Sequence, residues 1–296
     1  MNDTLKACLW MTGAIASFTT MAVAGRAVSL DLDTFEIMFF RSLIGILIVV
    51  SVARLAGTLG QVDTRNFGTH VVRNLGHFAG QNLWFYSITA IPLAQVFALE
   101  FTSPFWVMLL SPLVLGERLT GNRLAAAAVG FVGILIVTRP TPETLQFGQL
   151  TAALAAVGFA ASAVFTRRLT RTTTITNILF WLTVLQAGFG LVCAGYDGDI
   201  ALPSLVSLPW VVVIAFAGLV AHFCLTTALS LAPATVVMPI DFTRLPVIAV
   251  VGMMLYAEPL DRYVFLGAAL IFGANYANIT YESRRARAAR PAVTQM

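Results

Sequence analysis

The stretch "PIDFTRLPV", residues 239–247, places Asp241 and Arg244 three residues apart in an apolar run, with Pro239 and Pro246 on either side. Side chains at i and i+3 share one face of a helix, so this carboxylate and guanidinium can neutralise each other where hydrocarbon penalises either alone. Such a pair either fixes packing or faces a wet cavity, where Arg244 can hold a cargo carboxylate. Shifting the chain by 141 residues lays "PLAQVFALEFTSPFW" on "PATVVMPIDFTRLPV". Glu100 is then the counterpart of Asp241, but Ser103 stands where the second copy has Arg244. Glu100 must take its cation from elsewhere. Arg41 and Glu100 both lie seven residues from the matching ends of their spans. That equal depth predicts a structural Arg41–Glu100 ion pair between helices.

A second constellation lies on one helical face. Asn74, His77, Gln81 and Trp84 recur at spacings of 3, 4 and 3 residues, a helical period. Facing lipid, their polar atoms would lack partners, so the stripe is expected to line a cavity. The 141-residue shift lays Gln81 on His222, which joins it. Each histidine reads either as a satisfied interior group or as a cavity group available for proton coupling. Ser17 and Ser162, equivalent in "GAIAS" and "GFAAS", serve helix contact or cavity lining. Pro104, Pro112, Pro239 and Pro246 interrupt two spans where bending can gate a pathway. Glu117 and Glu258 sit just past these spans and read as local caps or partners of Arg118, Arg123 or Arg262.

Other chemistries find little footing. The chain has no HExxH, no carboxylate-rich metal cluster and no serine nucleophile with a histidine in a readable motif. No Walker motif is present, so no cofactor, metal or catalytic residue is assigned, and an intramembrane enzyme is the weaker alternative. A non-transporting scaffold or receptor is the other. Cys8, Cys193 and Cys224 lack CxxC spacing and read as small apolar packers. The net charge of +4 comes from scattered arginines. It points to anionic headgroups at the basic tail rather than to nucleic acid.

The elements that must position these groups are membrane helices. Of 296 residues, 58% are hydrophobic and only 11% charged, with a mean hydropathy of +0.84, against about 25% charged in soluble domains. Ten apolar spans are expected, near 7–28, 34–56, 68–89, 93–115, 122–139, 148–168, 175–195, 208–230, 234–257 and 262–281. Assigning Lys6, Arg54, Arg65, Arg73, Arg118, Arg123, Arg167, Arg168, Arg171 and the tail arginines to one side leaves only Arg26, Arg139 and Arg262 opposite. The bias places both termini in the cytoplasm. The 141-residue register gives two halves of five spans, 1–140 and 141–283, followed by a basic tail, 284–296. An odd number of spans per half inverts one half against the other. Small-residue faces at Ala126 and Gly130, and at Ala269, Gly273 and Ala277, suit close packing within a monomer or a homodimer contact.

Several local features carry a resemblance. They are the short proline turns between spans 3 and 4 and between 8 and 9, "GER" and "AEP" after the fourth span of each half, a Gly-rich fifth span, and Arg41 in "EIMFFRSLIG". With these the chain resembles the EamA-type repeats of the drug/metabolite transporter superfamily over roughly residues 7–281. The resemblance implies an all-α, ten-helix carrier of the bacterial inner membrane with a central cavity lined by spans 1, 3, 4, 6, 8 and 9. It implies export of small amphipathic metabolites by alternating access, amino acids first among them and aromatic ones included. Phosphate-bearing cargo is not expected. The chain has one lysine, and no pair of basic residues is expected to lie buried within a half.

Overall fold

Hydrocarbon offers backbone N–H and C=O groups no partners, so an apolar chain satisfies them within itself as helices. The computed structural model describes residues 3–29, 31–116, 121–139, 146–169, 171–231, 240–241 and 243–288. The helices among them are α1 (Asp3–Val28), α2 (Thr34–Leu55), α3 (Phe67–Ala90), α4 (Leu93–Glu100), α5 (Ser103–Leu115), α6 (Gly121–Thr138), α7 (Phe147–Leu169), α8 (Ile175–Ala194), α9 (Leu208–Leu231), α10 (Arg244–Tyr256) and α11 (Arg262–Ala288). A single 3-10 turn, Leu59–Gln61, links α2 to α3. Pro239, Glu117, Arg118 and the side chain of Arg123 lie outside the described residues.

Among the described residues, six stretches are long and apolar enough to cross a membrane: 5–28, 34–55, 93–115, 147–169, 175–194 and 208–225. Two shorter apolar helices, 124–137 and 244–256, accompany them. Of the ten expected spans, α3 falls below the apolar measure because its polar stripe lowers its hydropathy. The expected span at 93–115 is broken. Its two pieces, α4 and α5, meet at Phe101 and Thr102.

Local chemistry sets the ends. Asp33 and Glu36 form a reciprocal cap on α2, each side chain bonding the other's backbone N–H at 2.8 and 2.9 Å. This satisfies two donors that a helix start leaves open. The second Glu36 oxygen accepts from Ala201 N at 2.6 Å, tying α2 to the loop before α9.

Small residues choose the neighbours. α3 packs along α7, α1 along α9, α2 along α8, α6 along α11, and α4 against α10. At the α3–α7 crossing, a Cβ on Gly158 would come within 2.8 Å of Gly76 O and Gly80 Cα. Only glycine permits that approach. α6 and α11 meet at Gly133 and Gly267 in the same way. Of the faces expected to pack, Ala126 and Gly130 are buried, with Gly130 against the Phe105 ring. Ala269, Gly273 and Ala277 instead point out of the bundle, exposed.

Candidate functional site

Two broken helices bring the charges together. Pro104 has no N–H for the carbonyl of Glu100, and Ser103 Oγ donates to that carbonyl at 2.6 Å instead. Thr102 Oγ1 donates to Leu99 O at 2.7 Å, and Thr243 Oγ1 donates to Ile240 O at 2.7 Å. The two breaks are therefore built alike, 141 residues apart. Pro246 lies in the first turn of α10, and Pro112 lies inside α5 beside Ser111, whose hydroxyl bonds Val107 O at 2.7 Å. Ending a helix in mid-bundle leaves unpaired polar backbone near the centre, where side chains and water can reach it.

Arg244 is the hub. Its Nη2 lies 3.1 Å from Glu100 Oε1 and 3.2 Å from Asp241 Oδ2, and the residue is only 4% exposed. The guanidinium also lies over three rings, 4.8 Å from those of Phe18 and Phe97 and 5.2 Å from that of Phe101. Cation–π attraction of this kind strengthens when the cation is desolvated. Trp84 Nε1 donates to Glu100 Oε2 at 2.9 Å. Asp241 Oδ1 and Arg244 Nε are buried without a partner. The cluster contains one guanidinium and two carboxylates.

The expected Arg41–Glu100 pair does not form. Glu100 takes its cation from Arg244 on the facing broken helix, while Arg41 donates to Gln81 Oε1 and lies over the Phe85 ring. Equal depth places two groups at one level of the membrane but says nothing about their direction. Arg244, reaching across from α10, is the nearer partner.

The α3 stripe does lie inside the protein. Arg73, Asn74, His77, Gln81 and Trp84 are all buried, strung along about 16 Å of helix from Arg73 to Trp84 at 1.5 Å per residue. The His77 and His222 rings sit 6.2 Å apart, with Phe18 against His222 and Phe159 against His77. Asn74 Oδ1 accepts from Arg73 at 2.9 Å and from Gln186 of α8 at 3.2 Å. Ser162 is buried near the α3–α7 crossing. Ser17 lines a shallow groove of about 350 Å³ between α1 and α9, with Thr20, Val213 and Phe216, away from the charged cluster. It does not join the other candidates.

Three functional residues escaped sequence reasoning. Glu258 is not a local cap: it pairs with Arg26 from α1 and accepts from Leu93 N at 2.9 Å. Arg26 further donates to the carbonyls of Ile88 and of Ile91, the latter at 2.7 Å, and lies 4.6 Å from the Tyr256 ring centre. One arginine thus ties the ends of α1, α3 and α10 to the α3–α4 turn. Arg73, expected at the cytoplasmic end of its span, is 6% exposed and bonds Thr166 Oγ1 at 3.0 Å. A sequence signal existed for the first two. The 141-residue register lays Arg26 on Arg167 and Glu117 on Glu258, so both members of the pair recur together.

Charge gathered between interrupted apolar helices is the build of a multi-pass membrane transporter rather than of an enzyme. The EamA-like transporter family model matches the chain twice, over residues 5–139 and 146–280, and the chain belongs to that family. It is 30% identical to a riboflavin transporter of Brucella anthropi over 94% of this chain and 100% of that one. It is 25% identical to an S-adenosylmethionine uptake transporter of Rickettsia felis over 97% of each chain. A crystal structure covering 95% of this chain and 98% of its own matches with a TM-score of 0.65 at 19% identity, a likeness of fold.

Proposed function

We propose that this chain is a secondary transporter of the bacterial inner membrane that moves small amphipathic metabolites bearing an aromatic ring. It works by alternating access between two inverted five-helix halves, residues 1–140 and 141–283, with both termini cytoplasmic. The observation that carries this reading is Arg244, held between Glu100 and Asp241 at two matched helix breaks and ringed by Phe18, Phe97 and Phe101.

Helix pairing supports the inverted halves. Exchanging α1 with α7 and α3 with α9 turns the α1–α9 pair into α7–α3, which is also a pair in the bundle. The pairs α2–α8 and α6–α11 map onto themselves. Two halves that can exchange roles supply two access states. In the orientation set by the arginine bias, Arg26–Glu258 closes the outer end.

The relatives bear on the cargo. Riboflavin and S-adenosylmethionine each join a flat heterocycle to a polar appendage, which suits a charged cluster ringed by aromatic side chains. Export of amino acids, aromatic ones included, is the second reading, favoured because Arg244 can meet a carboxylate. Counterflow in proteoliposomes with labelled riboflavin, S-adenosylmethionine and the aromatic amino acids tests both. Flux of one class, reduced at least tenfold by Arg244→Gln, is the expected result. No flux above empty vesicles for any of them, with the protein folded, sinks the proposal.

A further inference from the structure

Two interior guanidinium groups face no carboxylate. Arg73 bonds only neutral partners, Thr166 Oγ1 and Asn74 Oδ1. Arg41 bonds the neutral amide of Gln81. Neither makes an ion pair among the described residues, and the interior acids are engaged elsewhere. Glu100 and Asp241 hold Arg244, Glu258 holds Arg26, and Glu36 caps α2. Between Arg73 and Gln81 on α3 comes His77, one turn from each. Its Nε2 is buried without a partner. The His222 ring is 6.2 Å away.

Positive charge inside a membrane protein requires a counter-charge or water. A guanidinium presents a planar fork of donors that matches the oxygens of a carboxylate or phosphate. We propose that Arg41, Arg73, His77 and Gln81 form an oxyanion subsite, which takes the carboxylate or phosphate group of the cargo. This rests on the reading of the chain as a transporter. It gives the binding region two unlike ends: a cationic end at His77, and at Trp84 a ring-lined end where two carboxyl groups meet one guanidinium. Seven residues of α3 separate them, about 10 Å at 1.5 Å per residue. The fitting cargo therefore carries its ring and its oxyanion about that far apart. This removes the ground on which phosphate was not expected, because Arg73 is buried rather than at a cytoplasmic span end. Together with Arg41 it makes the pair of interior basic residues within one half.

Two measurements test the subsite. The first is thermal unfolding of the whole protein in nanodiscs with sodium acetate, sodium phosphate or sodium chloride at equal ionic strength. Acetate or phosphate is expected to raise the unfolding temperature above that in chloride. Arg41→Gln and Arg73→Gln are expected to abolish the rise, Arg41→Lys to keep part of it, and Arg54→Gln, at an exposed position, to keep all of it. No anion-specific rise in the native protein, or the same rise in every variant, overturns the subsite. The second is counterflow with matched pairs: riboflavin against flavin mononucleotide, and S-adenosylmethionine against its decarboxylated form. A preference of about tenfold for the phosphorylated member assigns phosphate, and the same preference for the carboxylated member assigns carboxylate. Flux that ignores the anionic group in both pairs overturns the proposal whatever the salts do. Absence of flux for all four compounds counts against the transporter reading, and the salt comparison then decides the subsite alone.

Discussion

Arg244 gathers two carboxyl groups and three aromatic rings around one guanidinium. Removing it leaves the half-buried Glu100 and Asp241 together without a cation, and losing one partner of a buried ion pair costs up to about 3–5 kcal/mol. Arg244→Met should therefore lower stability by that order in thermal unfolding. Combining it with Glu100→Gln and Asp241→Asn should restore most of the loss, because no charge then lies unpaired, while flux stays abolished. If the triple variant is no more stable than the single one, the ion pairs are not what stabilises this region. Trp84 has a smaller part, since its indole N–H satisfies Glu100 Oε2 at 2.9 Å. A hydrogen bond to a charged group is worth about 1.5–3 kcal/mol. Trp84→Phe, which keeps the ring and loses the donor, should show a loss within that range.

At the scale of the helices, close approach and interruption do the positioning. Gly158 lies so near Gly76 and Gly80 that any side chain must part α3 from α7. Gly158→Leu should cost at least about 1–3 kcal/mol as overpacking and should disturb the stripe from Arg73 to Trp84 that α3 carries. Unchanged thermal stability would mean that the crossing is looser than its geometry implies. The breaks at Thr102 and Thr243 place Glu100 and Asp241 where the helices end, each break closed by a threonine hydroxyl at 2.7 Å. A continuous helix in place of α4 and α5 would carry Phe101 and Glu100 past Arg244 in a different register.

For the whole molecule, Arg26 and Glu258 join α1, the end of α10 and the α3–α4 turn at one end of the bundle. If the pair gates the proposed pathway, Glu258→Gln should raise the labelling rate of cysteines placed near Ile91. The swap Arg26→Glu with Glu258→Arg should bring it back toward the native rate. Labelling that is indifferent to both changes would remove the pair from gating. The 141-residue register adds a symmetrical expectation. Arg26 maps to Arg167 (26 + 141) and Glu258 to Glu117 (258 − 141). Glu117→Gln should therefore shift accessibility in the opposite sense, toward the cytoplasmic side.

Membrane residence, the inward-facing α3 stripe and the Asp241–Arg244 pairing follow from the sequence. Each rests on a local rule: the cost of polar groups in hydrocarbon, helical period and repeat spacing. Which charge meets which was decided by tertiary packing alone. Arg41 and Arg244 are both interior arginines of suitable depth, and depth is all that a linear sequence conveys. Azimuth around a helix axis depends on which neighbour the glycines of α3, α6, α7 and α11 admit. That rotation gave Glu100 to Arg244 and left Arg41 and Arg73 facing neutral partners. It also drew Glu258 across the bundle to Arg26, 232 residues away in the chain.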